Sequence, residues 1–297
     1  MHMTRRAMLG ASSAVLALAA CGRQTQSADV NSIFDRLSID ILRESPEYAT
    51  SLGVSEAQAG GPYLNRLSDE TREAKERYKQ ILVRGAADLR AVNREALSAQ
   101  DRVSVDVVTT SFDNDVAVLN FAPGGGASTP YVVNQIEGAF TNIPDFLDSQ
   151  HPVTNRAEAE AYLERLSGYA RVLDQESAFL TEDAGAGTIP PDFAIDGAIT
   201  QLQAFAGRAP AQTVLVQSFA RRVGEIADIP DADKTAMRTR AEAITRDEVL
   251  PAYQRQIAAL QAIRPRAWHD AGIWRQPNGA EMYAAAIKQQ TTTDMSP

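Results

Sequence analysis

The sequence is poor in the residues that carry most enzyme chemistry. Its 297 residues include one cysteine and three histidines. A single cysteine excludes a disulfide within the chain. Beyond His2 in the first segment, only His151 and His269 remain, and they do not share a metal-binding spacing such as H-x-x-x-H. Because a catalytic zinc takes three protein ligands, we expect no metal site in this chain and a structural or surface role for both histidines.

Two common active-site motifs are also missing. No G-x-S-x-G elbow is present, so the sequence does not support a serine hydrolase of the α/β type. Three consecutive glycines, 124–126, are not followed by G-K-S or G-K-T, and we interpret them as a loop and not as a phosphate cradle. Acidic residues are numerous, but no pair is distinguished as a catalytic acid and base. We therefore predict no catalytic residue.

Long apolar runs are absent except for one near the start. Residues 7–20 carry no charge, but they are too few to span a bilayer. Arg5 and Arg6 precede this run and Cys21 follows it, which is the layout of a cleaved export signal. We assign residues 1–21 to a signal peptide and residues 22–29, GRQTQSAD, to a short polar tether.

The signal peptide has two more specific features. The stretch TRRAML, with Arg5 and Arg6, resembles a twin-arginine export signal, and LAAC resembles a lipobox at which Cys21 would be acylated. An ordinary signal peptide with an incidental cysteine is the alternative. Because Cys21 is the sole cysteine and lies where a lipid anchor belongs, we predict an exported lipoprotein. Gly22 in place of aspartate predicts the periplasmic face of the outer membrane by the sorting rule of Gram-negative lipoproteins.

Charge of one sign prevails after the signal. Residues 1–21 hold two arginines and no acidic residue, so 27 of the 29 basic residues remain against all 38 acidic ones. A protein surface with excess negative charge repels the phosphates of nucleic acids. We therefore expect no nucleic-acid partner.

Apolar residues recur at helical spacing along most of the chain, and we predict a mainly α fold of long antiparallel helices with irregular loops. β-Branched residues leave a strand as an alternative over residues 103–112. Pro251 should kink or split the helix that contains it. We predict irregular structure over 123–130 and 131–153. The predicted helices cover 30–41, 45–53, 68–89, 98–121, 154–183, 190–202, 213–227, 231–263 and 279–290.

An unusual group of residues lies near the end of the sequence. Trp274, Tyr283 and the triplet Thr291, Thr292 and Thr293 are close together in the chain. Three β-branched residues in a row disfavour a helix and suit an extended or buried segment. These residues are candidates for the wall of a substrate-binding groove, with core packing as the alternative.

The last two residues resemble the beginning of a helix. Ser296 suits the N-cap and Pro297 suits the first helical position, yet no helix follows. This pattern predicts a chain cut inside a larger protein.

Three segments carry a family resemblance. GAFTNIPDFLDSQHPVTNRAEAEAYLERL, VLPAYQRQIAAL and GIWRQPNGAEMYAAAIKQQTTTDMSP resemble, in order and spacing, the first half of the bacterial domain-of-unknown-function family 885. The resemblance implies a mostly helical, exported lipoprotein of the zincin-like metallopeptidase type. It also implies a zinc site, H-E-x-x-P-G-H, in the second half of such proteins. No histidine of this chain matches that motif.

These inferences combine into one expectation. Residues 30–297 are predicted to form the helical N-terminal portion of a larger zincin-like fold, truncated at its C-terminus and without a catalytic residue. The expected partners are a membrane through the lipid anchor, a peptide substrate and the missing C-terminal half. The alternative is a stand-alone helical lipoprotein that binds peptides or proteins without catalysis. The two differ in whether the DNA after codon 297 encodes H-E-x-x-P-G-H.

Overall fold

The computed structural model describes residues 30–295, and no strand occurs in that range. The mainly α prediction is therefore confirmed. The helices are α1 (residues 30–44), α2 (Pro46–Leu52), α3 (Arg72–Arg90), α4 (Ala99–Leu119), α5 (Ala139–Ser149), α6 (Arg156–Ala186), α7 (Asp192–Ala206), α8 (Val214–Gly224), α9 (Asp231–Ile244), α10 (Leu250–Ile263) and α11 (Gly279–Thr291).

Two helix ends lie where the sequence predicted them. Gly53 ends α2 in the left-handed conformation, with φ of 62°. Ser98 begins α4, because its Oγ accepts a hydrogen bond from the Asp101 N–H at 3.1 Å. Residues 103–112 are consequently helical, and the strand alternative is wrong.

The start of α3 corrects a prediction. Ser68 was expected to begin this helix, but the helix begins at Arg72 and is capped by Thr71, whose Oγ1 accepts from the Ala74 N–H at 3.2 Å. The Ser68 N–H and hydroxyl instead donate to the Glu47 carboxylate at 2.9 and 2.5 Å. Ser68 is therefore engaged in a tertiary contact with Glu47 and does not cap α3.

Helix α5 is a second correction, because residues 131–153 were predicted to be irregular. Pro144 lies inside this helix and has no N–H to donate to the carbonyl of Phe140, four residues earlier. The Tyr253 hydroxyl donates to that carbonyl at 3.3 Å. A side chain from α10 thus replaces the bond that proline removes.

Pro251 interrupts a helix, as predicted. One helix was expected over 231–263, and the structure has α9, a π-helical turn at Thr245–Val249 and then α10. The wider turn lies directly before Pro251, where the proline ring would otherwise crowd the preceding carbonyl. Residues 231–263 stay helical throughout, so the expected effect of Pro251 takes the form of a local π-helical turn and the helix is not split.

Two large apolar cores, and a third, minor cluster around Ala49 and Tyr63, hold most of the described helices together. The larger core joins α5 to α10 around α6, which at 31 residues is about 46 Å long. The smaller core joins α1, α3 and α4 through Leu37, Leu82 and Phe112. The segments between α2 and α3 and between α4 and α5 lie where the two parts meet.

Several sequence predictions fall outside the described residues. Arg5, Arg6, Cys21 and the tether at 22–29 precede residue 30, and Ser296 and Pro297 follow residue 295. Within the described range, none of the helices combines the length and the apolar character needed to cross a bilayer.

Candidate functional site

A cleft of about 510 Å³ opens where α2, α5 and α6 meet the segments 53–71 and 120–138. Its apolar wall comes from Val132, Ile143, Phe146 and Val172. Its polar side chains are those of Glu47, Ser68, Glu70, Tyr131, Glu137, Asn142 and Glu176. The cleft therefore offers an apolar surface beside a concentration of carboxyl groups.

Glu176 is the buried carboxyl group of this cleft. Its two oxygens accept from the Ala139 N–H at 2.8 and 3.0 Å, and Gln256 Nε2 donates to Oε2 at 3.1 Å. Ala139 is the first residue of α5, and the residue before it, Gly138, has no side chain to act as a cap. Glu176 from α6 takes over that role for the start of α5.

The environment of Glu176 favours its neutral form. Burial raises the pKa of the Glu176 carboxyl group to about 8, and the negative charge of Glu70 acts in the same direction. The hydrogen bonds from Ala139 and Gln256 and the charge of Lys75 act in the opposite direction but do not offset burial. The Glu176 carboxyl group therefore favours its protonated form at neutral pH.

Two buried tyrosines fix the same end of α5. The Tyr253 hydroxyl donates to the Phe140 carbonyl and accepts from the Tyr169 hydroxyl at 2.7 Å, and the Tyr169 hydroxyl also lies 3.1 Å from the Ala139 carbonyl oxygen. The two rings meet edge to face. Side chains from α6 and α10 thus set the position of the cleft wall that α5 provides.

The glycine loop at 124–126 forms the rim of the cleft. A Cβ on Gly124 would lie 2.6 Å from the Phe179 ring, and one on Gly125 would lie 2.3 Å from the Thr129 carbonyl oxygen. These close approaches require glycine. The sequence predicted a loop here, and the structure confirms it.

Arg165 ties the outer segments to α6 near the cleft. Its side chain is wholly buried. Nε donates to the Arg66 carbonyl at 2.8 Å, and Nη2 donates to Thr50 Oγ1 at 2.7 Å and to the Tyr63 carbonyl at 3.1 Å. Nη1 donates to His151 Nδ1 at 2.8 Å. This guanidinium therefore joins segments about 100 residues apart in the chain.

His151 is held as a neutral imidazole. Because Nδ1 accepts from Arg165, the proton lies on Nε2, which donates to the Glu158 carbonyl at 3.0 Å. Burial, and then the charges of Arg165 and Arg222, lower the pKa of His151 to about 4. Both ring nitrogens are used, so this histidine has the structural role that the sequence predicted.

His269 lies at the surface, with Nδ1 2.9 Å from Asp192 Oδ1. Within residues 30–295 no three or more histidine, cysteine or acidic side chains are grouped so that they could hold a metal ion. These residues do not fit the zinc site that the resemblance implies for full-length proteins.

The residues predicted for a substrate groove do not line this cleft. Trp274 and Tyr283 are 71% and 47% exposed. Thr291 belongs to the last turn of α11, where its hydroxyl donates to the Ile287 carbonyl at 2.8 Å. Thr292 lines a separate groove of about 490 Å³ between α4 and α11, and Thr293 follows it at the surface.

Sequence reasoning missed the carboxyl groups of the cleft, although one signal was available. Glu176 lies three residues after Leu173 and four before Leu180, and both leucines face the core. An acidic residue inside the apolar stripe of a helix needs a buried partner or a function. The partners, Ala139 and Gln256, are too distant in sequence to be recognised.

Comparison with known proteins shows a matching protein family and a solved structure with a similar fold. The model of a family described as "Bacterial protein of unknown function (DUF885)" matches residues 46–297. Comparison with curated proteins gives no match. The crystal structure of a presumed lipoprotein from Colwellia psychrerythraea is similar, with a TM-score of 0.85 and 23% identity. The alignment covers 92% of this chain and 47% of that one, so this chain spans about half the length of that protein.

Proposed function

Since the chain belongs to the bacterial protein family DUF885, we propose that it is the helical, non-catalytic part of an exported lipoprotein related to metallopeptidases and binds peptides in its cleft. The observation that carries the proposal is the cleft itself. Its volume of about 510 Å³ lies in the usual range for small-ligand sites, roughly 300–1,000 Å³. Its apolar wall suits side chains, while its polar groups can fix the orientation of a peptide.

The proposed placement of the protein follows from its first residues. Arg5 and Arg6 would direct export, and a lipid on Cys21 would hold residues 30–297 near a membrane through the tether at 22–29. The outer membrane is the expected location, because Gly22 follows the cysteine. A C-terminal half with its own zinc site is the proposed partner for catalysis, on the strength of the family resemblance.

The non-catalytic role is supported by the polar groups near the cleft. Both nitrogens of His151 are engaged, and Arg165 uses its donors to hold backbone segments together. The carboxyl group of Glu176 caps α5. These groups stabilise the walls of the cleft, and a bound peptide would be held there for chemistry supplied by another part of the complex. Trp274, Tyr283 and Thr291 to Thr293 remain a prediction for a further substrate contact.

Retention of peptides by the immobilised full chain tests the proposal. A tryptic digest of casein is passed over the protein, and retained peptides are identified by mass spectrometry. Asn142 is an exposed residue of α5 at the cleft, so Asn142→Trp should obstruct the opening without disturbing the core. Ser149→Trp is the matched control, because Ser149 is exposed on the same helix but outside the cleft.

We expect the wild-type chain and Ser149→Trp to retain the same peptides, and Asn142→Trp to retain at least tenfold less. Equal retention by all three proteins, or no retention by any of them, would contradict the proposal. Cleavage of the peptides by the isolated chain, abolished by a chelator, would contradict its non-catalytic part.

A further inference from the structure

The groove between α4 and α11 has a lining of a different kind from that of the cleft. Its volume is about 490 Å³, and no lysine, arginine, histidine or aromatic residue is among the described residues that line it. Val107 contributes an exposed apolar side chain. The hydroxyl and carboxamide groups of the lining come from Thr110, Ser111, Asn114, Gln289 and Thr292.

The two aspartates of this groove already have partners. Both carboxylate oxygens of Asp106 accept from the Arg94 guanidinium, at 2.7 and 2.8 Å. Asp115 Oδ1 accepts from Gln289 Nε2 at 3.1 Å, and this bond joins α4 to α11. The unused hydrogen-bonding capacity of the groove therefore lies in its neutral side chains.

Asn114 is the buried polar residue of the groove. It is only 6% exposed, and its carboxamide forms no hydrogen bond with the residues that the structure describes. The carboxamide oxygen and nitrogen are not among the polar atoms that the protein encloses completely, so the exposed part of Asn114 is the group that faces the groove. Most buried side-chain polar atoms have a hydrogen-bond partner. The carboxamide of Asn114 therefore indicates a partner that comes from outside the chain.

Gln289 provides a second observation from the opposite wall. Its Nε2 is held by Asp115, but its Oε1 is buried and has no partner within residues 30–295. One groove thus contains two carboxamides with unused groups, one on each helix. Between them they offer acceptors at Asn114 Oδ1 and Gln289 Oε1 and a donor at Asn114 Nδ2. A ligand that carries both N–H and C=O groups would satisfy them.

We propose that this groove binds the main chain of an extended peptide, with Asn114 as the central hydrogen-bonding residue. The N–H and C=O of one residue in an extended chain point to the same side, as in paired strands that exchange two bonds at one residue. The carboxamide of Asn114 presents an acceptor and a donor that match this pair. The site is separate from the cleft of the proposed function. It includes Thr292, one of the residues that the sequence predicted for a substrate groove.

Titrations of the full chain carrying Asn142→Trp test the site, because this change obstructs the other cleft. The probes are N-acetyl-hexa-alanine amide, the same peptide methylated on every backbone nitrogen, and the neutral sugar maltotriose. Ligand-observed NMR measures each dissociation constant. We expect the unmethylated peptide to bind at least tenfold more tightly than the methylated one, which corresponds to about 1.4 kcal/mol, and maltotriose not to bind.

Variants in the same background locate the site. Asn114→Leu replaces the carboxamide with an apolar group of similar size and should weaken binding of the hexa-alanine peptide at least tenfold. Its melting temperature should not fall, because the carboxamide has no bond to lose. Asn120→Leu is the matched control, at an exposed position directly after α4 and outside the groove. Ser111→Trp obstructs the groove from an exposed position and tests the site if Asn114→Leu does not fold.

The contradicting outcomes are specific to this groove, since the other cleft is obstructed in every protein titrated. Equal binding of the two peptides, or no binding of either, would overturn the main-chain site without bearing on the proposed function. Unchanged peptide affinity in both Asn114→Leu and Ser111→Trp would also overturn it. Binding of maltotriose that Asn114→Leu abolishes would overturn the peptide and assign the groove to a sugar.

Discussion

The Tyr253 hydroxyl donates to the Phe140 carbonyl, the acceptor that Pro144 leaves without a backbone N–H donor. It lies 3.3 Å from the Phe140 carbonyl oxygen, the acceptor that a residue other than proline at 144 would bind through its backbone. Helix α5 can therefore contain a proline without a buried, unpaired carbonyl. A residue more than a hundred positions later in the chain makes this wall of the cleft possible.

Tyr253→Phe should lower the free energy of unfolding by about 1–3 kcal/mol, because the Phe140 carbonyl loses its donor inside the core. In a Pro144→Ala background the new alanine N–H can bond to that carbonyl. The loss caused by Tyr253→Phe should then be smaller by about 1 kcal/mol. Urea unfolding of the four proteins in this double-mutant cycle measures the difference. Strictly additive effects would refute the relationship between the two residues.

Glu176 should make the protein less stable as pH rises from about 4.5 to about 8. The unfolded carboxyl group releases its proton near 4.5, whereas the folded one retains it to about 8. In this interval the unfolded state binds fewer protons, so the free energy of unfolding falls by up to about 1.4 kcal/mol per pH unit. Below about pH 4.5 the carboxyl group is protonated in both states, so Glu176 no longer makes the stability depend on pH.

Urea unfolding of wild type and Glu176→Gln at pH 5, 6, 7 and 8 checks this expectation. Glutamine can still accept the Ala139 N–H but does not titrate. The stability difference between the two proteins should move steadily in favour of glutamine as pH rises. A difference that is constant over the series would show that the folded carboxyl group is already ionised.

His151 should have the opposite pH dependence at lower pH. The unfolded imidazole gains a proton near 6.5, whereas the folded one stays neutral to about 4. In this interval the unfolded state binds more protons, so stability is lost as pH falls from 6.5 to 4, by up to about 1.4 kcal/mol per pH unit. The loss should be absent in His151→Gln. Unfolding of both proteins between pH 4 and 7 measures it, and parallel curves would exclude a neutral buried ring.

Gly138→Ala should destabilise the protein by about 1–3 kcal/mol. Gly138 precedes α5 with φ of 134°, a conformation that side chains rarely permit, and a Cβ there would lie 3.2 Å from the Phe140 ring. Gly185→Ala is the control, because Gly185 is helical and its Cβ would meet nothing within 4 Å. That change should be neutral or slightly stabilising. Thermal unfolding distinguishes the two, and equal melting temperatures would refute the strain at 138.

The parts of the fold that could be predicted are those coded by neighbouring residues. Gly53 and Ser98 set helix ends through bonds within four residues, and Pro251 predicted the interruption between α9 and α10. Ser68 and Pro144 gave equally clear local signals, but the predictions based on them were wrong: Ser68 does not begin α3, and Pro144 lies inside a helix. Their partners, Glu47 and Tyr253, come from distant segments that the sequence does not bring together.

The difference between local signals and contacts of distant segments also explains why the sequence did not predict the residues of the cleft. The exposed residues from Trp274 onward are unusual in composition, and the sequence therefore drew attention to them. The cleft depends on ordinary glutamates whose environment arises only from packing. Glu176 differs from an exposed glutamate because α5 and α10 enclose it. Burial, and not residue type, makes this carboxyl group distinctive.

Helix α5 depends on hydrogen bonds from side chains of α6 and α10, and this dependence has a consequence for biosynthesis. This segment follows a glycine and contains a proline, so it has little tendency to be helical alone. Tyr253 bonds to the Phe140 carbonyl of this segment, and Gln256 bonds to Glu176, which caps it; both leave the ribosome more than a hundred residues later. We therefore expect residues 139–149 to become a stable helix only after α10 has been translated.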